Sequence, residues 1–282
     1  MKIDMWIHFR TLVCAAVLFP ALPAAGQIGR PGGGTAYFGF DRNEYPGDAN
    51  LAILHRTFAF TGYWLNPPPG ARENTWQGKR ARLRKAGFGF LVLFNGRLYA
   101  ELKQSADAGQ LGRADADAAV HAARGEGFPP NTILFLDQEE GGRMLAEQKA
   151  YIFAWADGVQ VQGFRAGIYC SGMAAREANG ERVITAEDLR RNAGGRQIAY
   201  WVANDACPPS PGCQAPARGL VPAASGVSFA AVWQYAQSPG RNAGACPRNY
   251  AADGYCYAPG LRKEHVFVDL DVATVGDPSG GR

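Results

Sequence analysis

The residues best placed to do chemistry in this chain close one apolar run: Ile133-Leu-Phe-Leu-Asp137-Gln138-Glu139-Glu140-Gly141-Gly142. Ile, Leu and Phe suit a buried strand, whereas carboxylates avoid burial, so the acids belong where the strand leaves the core. Alternation along a strand puts Asp137 and Glu139 on one face and Gln138 on the other. At about 3.3 Å rise per residue their Cα atoms lie roughly 7 Å apart, close enough for both side chains to converge on one substrate bond. A simpler reading competes, in which Glu139 and Glu140 only favour the start of the next helix through its dipole.

Other apolar runs also end in polar or aromatic groups: Asp41, Tyr169, Trp201, Gln234 with Tyr235, and Asp269 with Asp271. Acids among aromatic rings suit a sugar, whose apolar faces stack on rings while its hydroxyls bond to carboxylates and amides. A glycosidase needs a proton donor at the glycosidic oxygen and a second group that stabilises the cationic transition state. Crowded carboxylates raise at least one pKa, which keeps a proton available near neutrality. Structural explanations stand beside this one. Asp269 or Asp271 could start a turn, Asp41 could cap a loop, and Trp201 and Trp233 could fill the core. Asp48 reads as a helix N-cap, and Asp205 and Glu187 as surface or capping residues. His55, His121 and His265 have no partner at useful spacing.

The elements that must position these groups alternate along the chain. Strands are expected over 35–41, 58–64, 88–94, 131–137, 165–170, 197–203, 229–235 and 265–271. Helices are expected over 48–56, 76–86, 114–125, 143–162 and 187–192, the fourth from apolar residues recurring at helical spacing. Eight short strands with helices between the first six describe a modified (β/α)8 TIM-type barrel over 35–275, its outer helices incomplete around the last strands. Residues 276–282 are set aside as a tail. In such a barrel the C-terminal strand ends share one rim, which gathers acids that the sequence scatters.

Composition narrows the function classes. With 282 residues, 47% of them hydrophobic and 19% charged, the chain can bury a sizeable core. The net charge of +4 is not concentrated in any Lys/Arg run, so no nucleic-acid partner is expected. Residues 1–26 have the layout of a secretory signal peptide: basic Lys2 and Arg10, an apolar stretch over 11–22, then Ala24-Ala25-Gly26. That stretch is short for a bilayer span, so no stable membrane anchor is expected after cleavage, and the protein is expected outside the cytoplasm, secreted or periplasmic. A Gly-rich linker over 27–34 follows. Export makes disulfides plausible. Local pairing would join Cys207 to Cys213 and Cys246 to Cys256, leaving Cys170 free. The cysteine spacing fits no common zinc finger, so no metal or cofactor is expected.

Six pieces in order carry a resemblance: Tyr-Phe-Gly-Phe-Asp41, Leu-Asp137-Gln-Glu139, Gly-Ile-Tyr169, Tyr-Trp201-Val-Ala, Val-Trp233-Gln-Tyr235 and Val-Asp269-Leu-Asp-Val. Together they resemble the glycoside hydrolase family 25 lysozymes and, more closely, a related bacterial family of exported glycoside-hydrolase-like domains. The resemblance implies a modified barrel acting on peptidoglycan. It places the proton donor at Glu139, an assisting acid at Asp137, substrate-holding acids at Asp41 and Asp269, and groove positions at Tyr169, Trp201 and Gln234. The lysozymes usually follow the first-strand acid with Ser and a nearby Gln-Gly, whereas Arg42-Asn43-Glu44-Tyr45 follow here. The leading expectation is therefore a glycosidase using Glu139 and Asp137, with Asp41, Asp269, Tyr169, Trp201, Gln234, Tyr235 and Asp271 around the sugar. A non-catalytic glycan-binding module on the same barrel is the alternative. A phosphodiesterase holding a divalent ion in the acid cluster is a third reading, set back by the absence of His among the acids.

Overall fold

The computed structural model describes residues 36–239 and 249–282. The expected signal peptide and linker lie outside these residues, as does Cys246. In chain order the elements are β1 (Tyr37–Asp41), α1 (Leu51–Leu54), β2 (Phe60–Trp64), α2 (Arg80–Lys85), β3 (Gly89–Asn95), α3 (Tyr99–Leu102), α4 (Ala108–Gly125), β4 (Ile133–Asp137) and α5 (Ala146–Val161). There follow β5 (Arg165–Ser171), β6 (Ala174–Arg176), β7 (Arg182–Ile184), α6 (Thr185–Asn192), β8 (Ile198–Ala203), β9 (Val232–Ala236) and β10 (Asp269–Ala273).

Eight strands close a barrel in the order β1-β10-β9-β8-β5-β4-β3-β2, and β6 with β7 forms a separate hairpin. All eight expected strands are present. The last one differs in direction. β10 runs antiparallel to both β1 and β9, and Asp269 is its first residue, not a residue near its end. Reversal brings the start of β10 to the rim where the parallel strands end, so Asp269 lies opposite Asp41. No α-helix stands between β8 and β9, where a short 3-10 turn over Pro222–Ser225 is found, as the Pro- and Gly-rich sequence there leads one to expect.

Aromatic rings fill the barrel's interior below the rim. Phe135 and Tyr169 pack edge-on against Trp201, at centroid distances of 5.9 and 4.9 Å. The rings fit because the neighbouring strands carry glycine: a Cβ on Gly167 would lie 2.5 Å from Phe135. Outside, α4 begins at Ala108, six residues earlier than the sequence expectation, because Asp107 caps it by accepting from Gln110 N at 2.9 Å. α4 lies close against α5, where a Cβ on Gly112 would come 2.2 Å from the Tyr151 carbonyl. Asp48 does not cap α1. The preceding short 3-10 turn is capped by Gly47, and Asp48 accepts from the Tyr45 hydroxyl at 2.8 Å.

Residues 276–282, set aside as a tail, close the barrel's lower end. Phe90 N donates to Asp277 at 2.8 Å, Val92 N to Ser279 Oγ at 2.9 Å, and Ile133 N to the Ser279 carbonyl at 2.8 Å. They occupy backbone groups at the starts of β3 and β4 that would otherwise be buried without partners.

The cysteines pair differently from the local expectation. Cys213 bonds Cys256, 43 residues on, and Cys207 is itself in a disulfide, so neither Cys207–Cys213 nor Cys246–Cys256 forms. The loops after β8 and β9 leave adjacent strands at the same rim, and spatial adjacency outweighs sequence proximity. Cys170 is free and buried, as expected.

Candidate functional site

The upper rim gathers the acids. β4 ends at Asp137, and the 138–145 segment carrying Glu139 is tied down on both sides. Glu140 accepts from Tyr99 N at 2.8 Å and from Gln148 Nε2 at 2.7 Å, which binds the segment to α3 and α5. On the other side, Gly142 N donates to Thr185 Oγ1 at 2.8 Å and Met144 N to Asp188 Oδ2 at 3.0 Å, both on α6. Arg143 pairs with Glu177 and Glu181 of the β6–β7 hairpin. Of the helix-start role considered for Glu139 and Glu140, Glu140 takes one at the start of α3. Glu139 is left exposed at the mouth.

A chain of polar contacts crosses the barrel beneath Glu139. Gln237 Nε2 donates to the Tyr169 hydroxyl at 2.8 Å, and Tyr169 donates to Gln234 Oε1 at 2.7 Å. Gln234 Nε2 in turn donates to Asp41 Oδ2 at 2.8 Å. The Asp41 and Asp271 carboxyls interact directly, and Trp201 Nε1 donates to Asp271 Oδ1 at 2.9 Å. Gly62 makes room for Asp41, since a Cβ there would come 2.7 Å from the Asp41 Cβ.

Burial and mutual repulsion change how these acids titrate. Desolvation lifts Asp41 to about 6, with the Glu139 charge adding and the Gln234 and Asp271 contacts opposing. Burial first, then the charges of Glu139 and Asp41, raises Asp137 well above the usual carboxylate range. Burial, then the Asp41 charge, does the same to Asp271. Both oxygens of Asp137 are buried with no hydrogen-bond partner. An ionised carboxylate in that setting is costly, which is why burial pushes the pKa up.

Two hollows open at the rim. One, about 430 Å³, is lined by Glu139, Tyr169, Ser171, Asp205 and Gln237 among others. The other, about 400 Å³, is lined by Arg42, Glu44, Glu139, Phe267 and Asp269 among others. Glu139 is the one residue common to both.

The structure therefore brings Asp41, Asp137, Glu139, Tyr169, Gln234 and Asp269 together at one mouth, with mutual electrostatic influence among them. Trp201 and Asp271 belong to the same cluster one layer down, both 0% exposed. Tyr235 does not join it. It follows Gln234, so strand alternation turns it to the outer face, where it packs on Trp233 and Phe38 and donates to the Gln214 carbonyl at 2.7 Å. Asp205, read as a surface or capping residue, is 6% exposed and lines the larger hollow. Two residues at the mouth are not among the sequence candidates: Gln237, which sits just beyond β9 and meets the same strand-end criterion as Gln234, and Arg42, read only as a departure from the lysozyme pattern. Among the described residues no group of His, Cys, Asp and Glu has the arrangement of a metal site, and no helix is long and apolar enough to cross a membrane.

Comparison with known proteins accords with this architecture. An uncharacterized B. stearothermophilus protein of known structure is 26% identical, with 84% of this chain and 95% of that one aligned at a TM-score of 0.53. The catalytic domain of endolysin ply40 from bacteriophage P40 of Listeria monocytogenes is 18% identical over 85% of this chain and 93% of its own, TM-score 0.48. The Mycobacterium tuberculosis Tat-secreted protein Rv2525c is 13% identical over 87% and 97%, TM-score 0.47. No curated protein matches the sequence. The model of the Rv2525c-like, glycoside hydrolase-like domain matches residues 62–208, more than half of the chain, and runs from within β2 through β8 with the Asp137–Glu139 segment. The chain belongs to the Rv2525c-like glycoside hydrolase-like domain family.

Proposed function

We propose that this protein is an exported glycosidase that cleaves a glycan such as the peptidoglycan backbone by acid-assisted hydrolysis, with Glu139 as general acid. The observation that carries the reading is that Glu139 lines both of two hollows, of about 430 and 400 Å³. A carboxyl that lines two ligand-sized spaces is placed to protonate the oxygen of a bond joining their occupants. Asp137, whose pKa burial raises, acts as an electrostatic and orienting assistant. Asp41 and Asp269 hold sugar hydroxyls, and Tyr169 with Gln234 fixes Asp41. Peptidoglycan is favoured by the strand-end motifs shared with the family 25 lysozymes. Export is favoured by the signal-like segment at 1–26 and the Cys213–Cys256 disulfide.

The test is cell-wall turnover by wild type and Glu139→Gln in parallel. The variant should lose turnover by at least about a hundredfold, the lower end of what general acid catalysis contributes, with an unchanged circular dichroism spectrum. Full activity in the variant would remove Glu139 from the mechanism. Binding to cell wall by both proteins with turnover by neither would make the barrel a glycan-binding module.

A further inference from the structure

Arg42 occupies the smaller hollow in an unusual state. Its side chain is only 10% exposed, yet it donates no hydrogen bond to any described residue, and its Nε is buried without a partner. Its nearest ion-pair contact is Glu44 at 3.8 Å, beyond hydrogen-bonding distance, and Glu44 is 79% exposed at the rim. Asp269 contributes charge from the same hollow but accepts the Ser238 N–H. Glu139 completes the acidic neighbours lining it. A guanidinium has five N–H donors in a rigid fork, and burying even the Nε–H of Arg42 unpaired is costly.

The backbone beneath Arg42 is held firmly. Trp64 Nε1 donates to the Arg42 carbonyl at 3.1 Å and Trp76 Nε1 to the Asn43 carbonyl at 2.9 Å, while the guanidinium lies over the Phe267 ring at 5.2 Å. Two indoles and a ring thus keep a charged fork presented to a hollow whose other wall is Glu139. A planar fork with free donors matches a carboxylate, which accepts two parallel hydrogen bonds, better than it matches a single hydroxyl.

We infer that Arg42 is a specificity-determining residue that reads a carboxylate on the sugar next to the scissile bond, so that the substrate is an acidic glycan. The inference rests on the glycosidase reading for the position of the bond, but binding tests it separately. The probes are N-acetylmuramate and N-acetylglucosamine, which differ by one carboxylate-bearing ether and carry no glycosidic bond to cut. Wild type, titrated by NMR at low ionic strength, should bind N-acetylmuramate about tenfold more tightly, and added salt should shrink the difference. Arg42→Gln should bind both sugars equally weakly, and Arg42→Lys, which keeps the charge but not the fork, should recover part of the preference. Equal binding of the two sugars by wild type, or an undiminished preference in Arg42→Gln, would overturn the inference. A carboxylate preference in a protein that hydrolyses no cell wall would leave it standing while the glycosidase reading fell.

Discussion

Replacing Asp41 by Asn should stabilise the protein at neutral pH and leave it nearly unchanged in acid. The substitution is close to isosteric: the amide oxygen can still accept from Gln234 Nε2, now at 2.8 Å, and the amide N–H can face Asp271. What it removes is the cost of ionising a buried carboxyl. Asp41 titrates at about 6 in the fold against 3.8 when unperturbed, so the two states differ by roughly 2 pK units, or about 3 kcal/mol at about 1.4 kcal/mol per unit. The sign follows from proton counts. Below pH 3.8 the folded and unfolded chains both hold the proton, and Asp41 contributes no dependence. Between 3.8 and about 6 only the folded chain holds it, so wild-type stability falls as pH rises, and above about 6 the full difference has been lost. The Asp41 charge also helps to raise Asp137 and Asp271, so removing it relieves those groups too. Urea unfolding of both proteins from pH 3.5 to 8 measures this directly. Relative to its value in acid, the variant's advantage should grow by about 3 kcal/mol by pH 7, which for a domain of this size is roughly 6–12 °C in Tm. A stability difference that stays constant across that range, or grows toward acid, would refute the buried-charge account.

Two further expectations follow from the contacts around the mouth. Glu140→Ala leaves Tyr99 N and Gln148 Nε2 without their acceptor and should cost about 1–3 kcal/mol, read as a lower Tm, whereas a solvated acid beside the motif would give no change. Replacing Cys213 and Cys256 together by Ala opens a link spanning 43 residues and should cost up to about 4 kcal/mol by loop entropy; unfolding midpoints equal to wild type would show that the loops are held by other contacts.

Much of the barrel was readable because strand formation and strand ends are local properties. Runs such as Phe88–Phe94 and Ile133–Leu136 are apolar for the length of a strand, and a polar side chain, Asn95 or Asp137, marks the point where each leaves the core. Pleat periodicity places Asp137 and Glu139 on one side. Applied with equal rigour, the same rule separates Gln234 from Tyr235 and sends only one of them to the mouth.

The rest depends on which strands become neighbours. The direction of β10 is invisible in its own sequence, since Asp269-Leu-Asp-Val-Ala reads as a strand either way; pairing with β1 and β9 decides it and carries Asp269 to the rim. Likewise the partner of Cys213 is chosen by two loops meeting above adjacent strands, and the raised pKa of Asp137 by the burial that barrel closure imposes. Residue type and alternation therefore determined what chemistry the chain could offer and on which face. Closure of the barrel decided which of those groups meet, how dry they are, and that Glu139 lines both hollows and shares the smaller with Arg42. Side-chain type and pleat are encoded within a few residues, whereas proximity and desolvation arise only when distant segments pack.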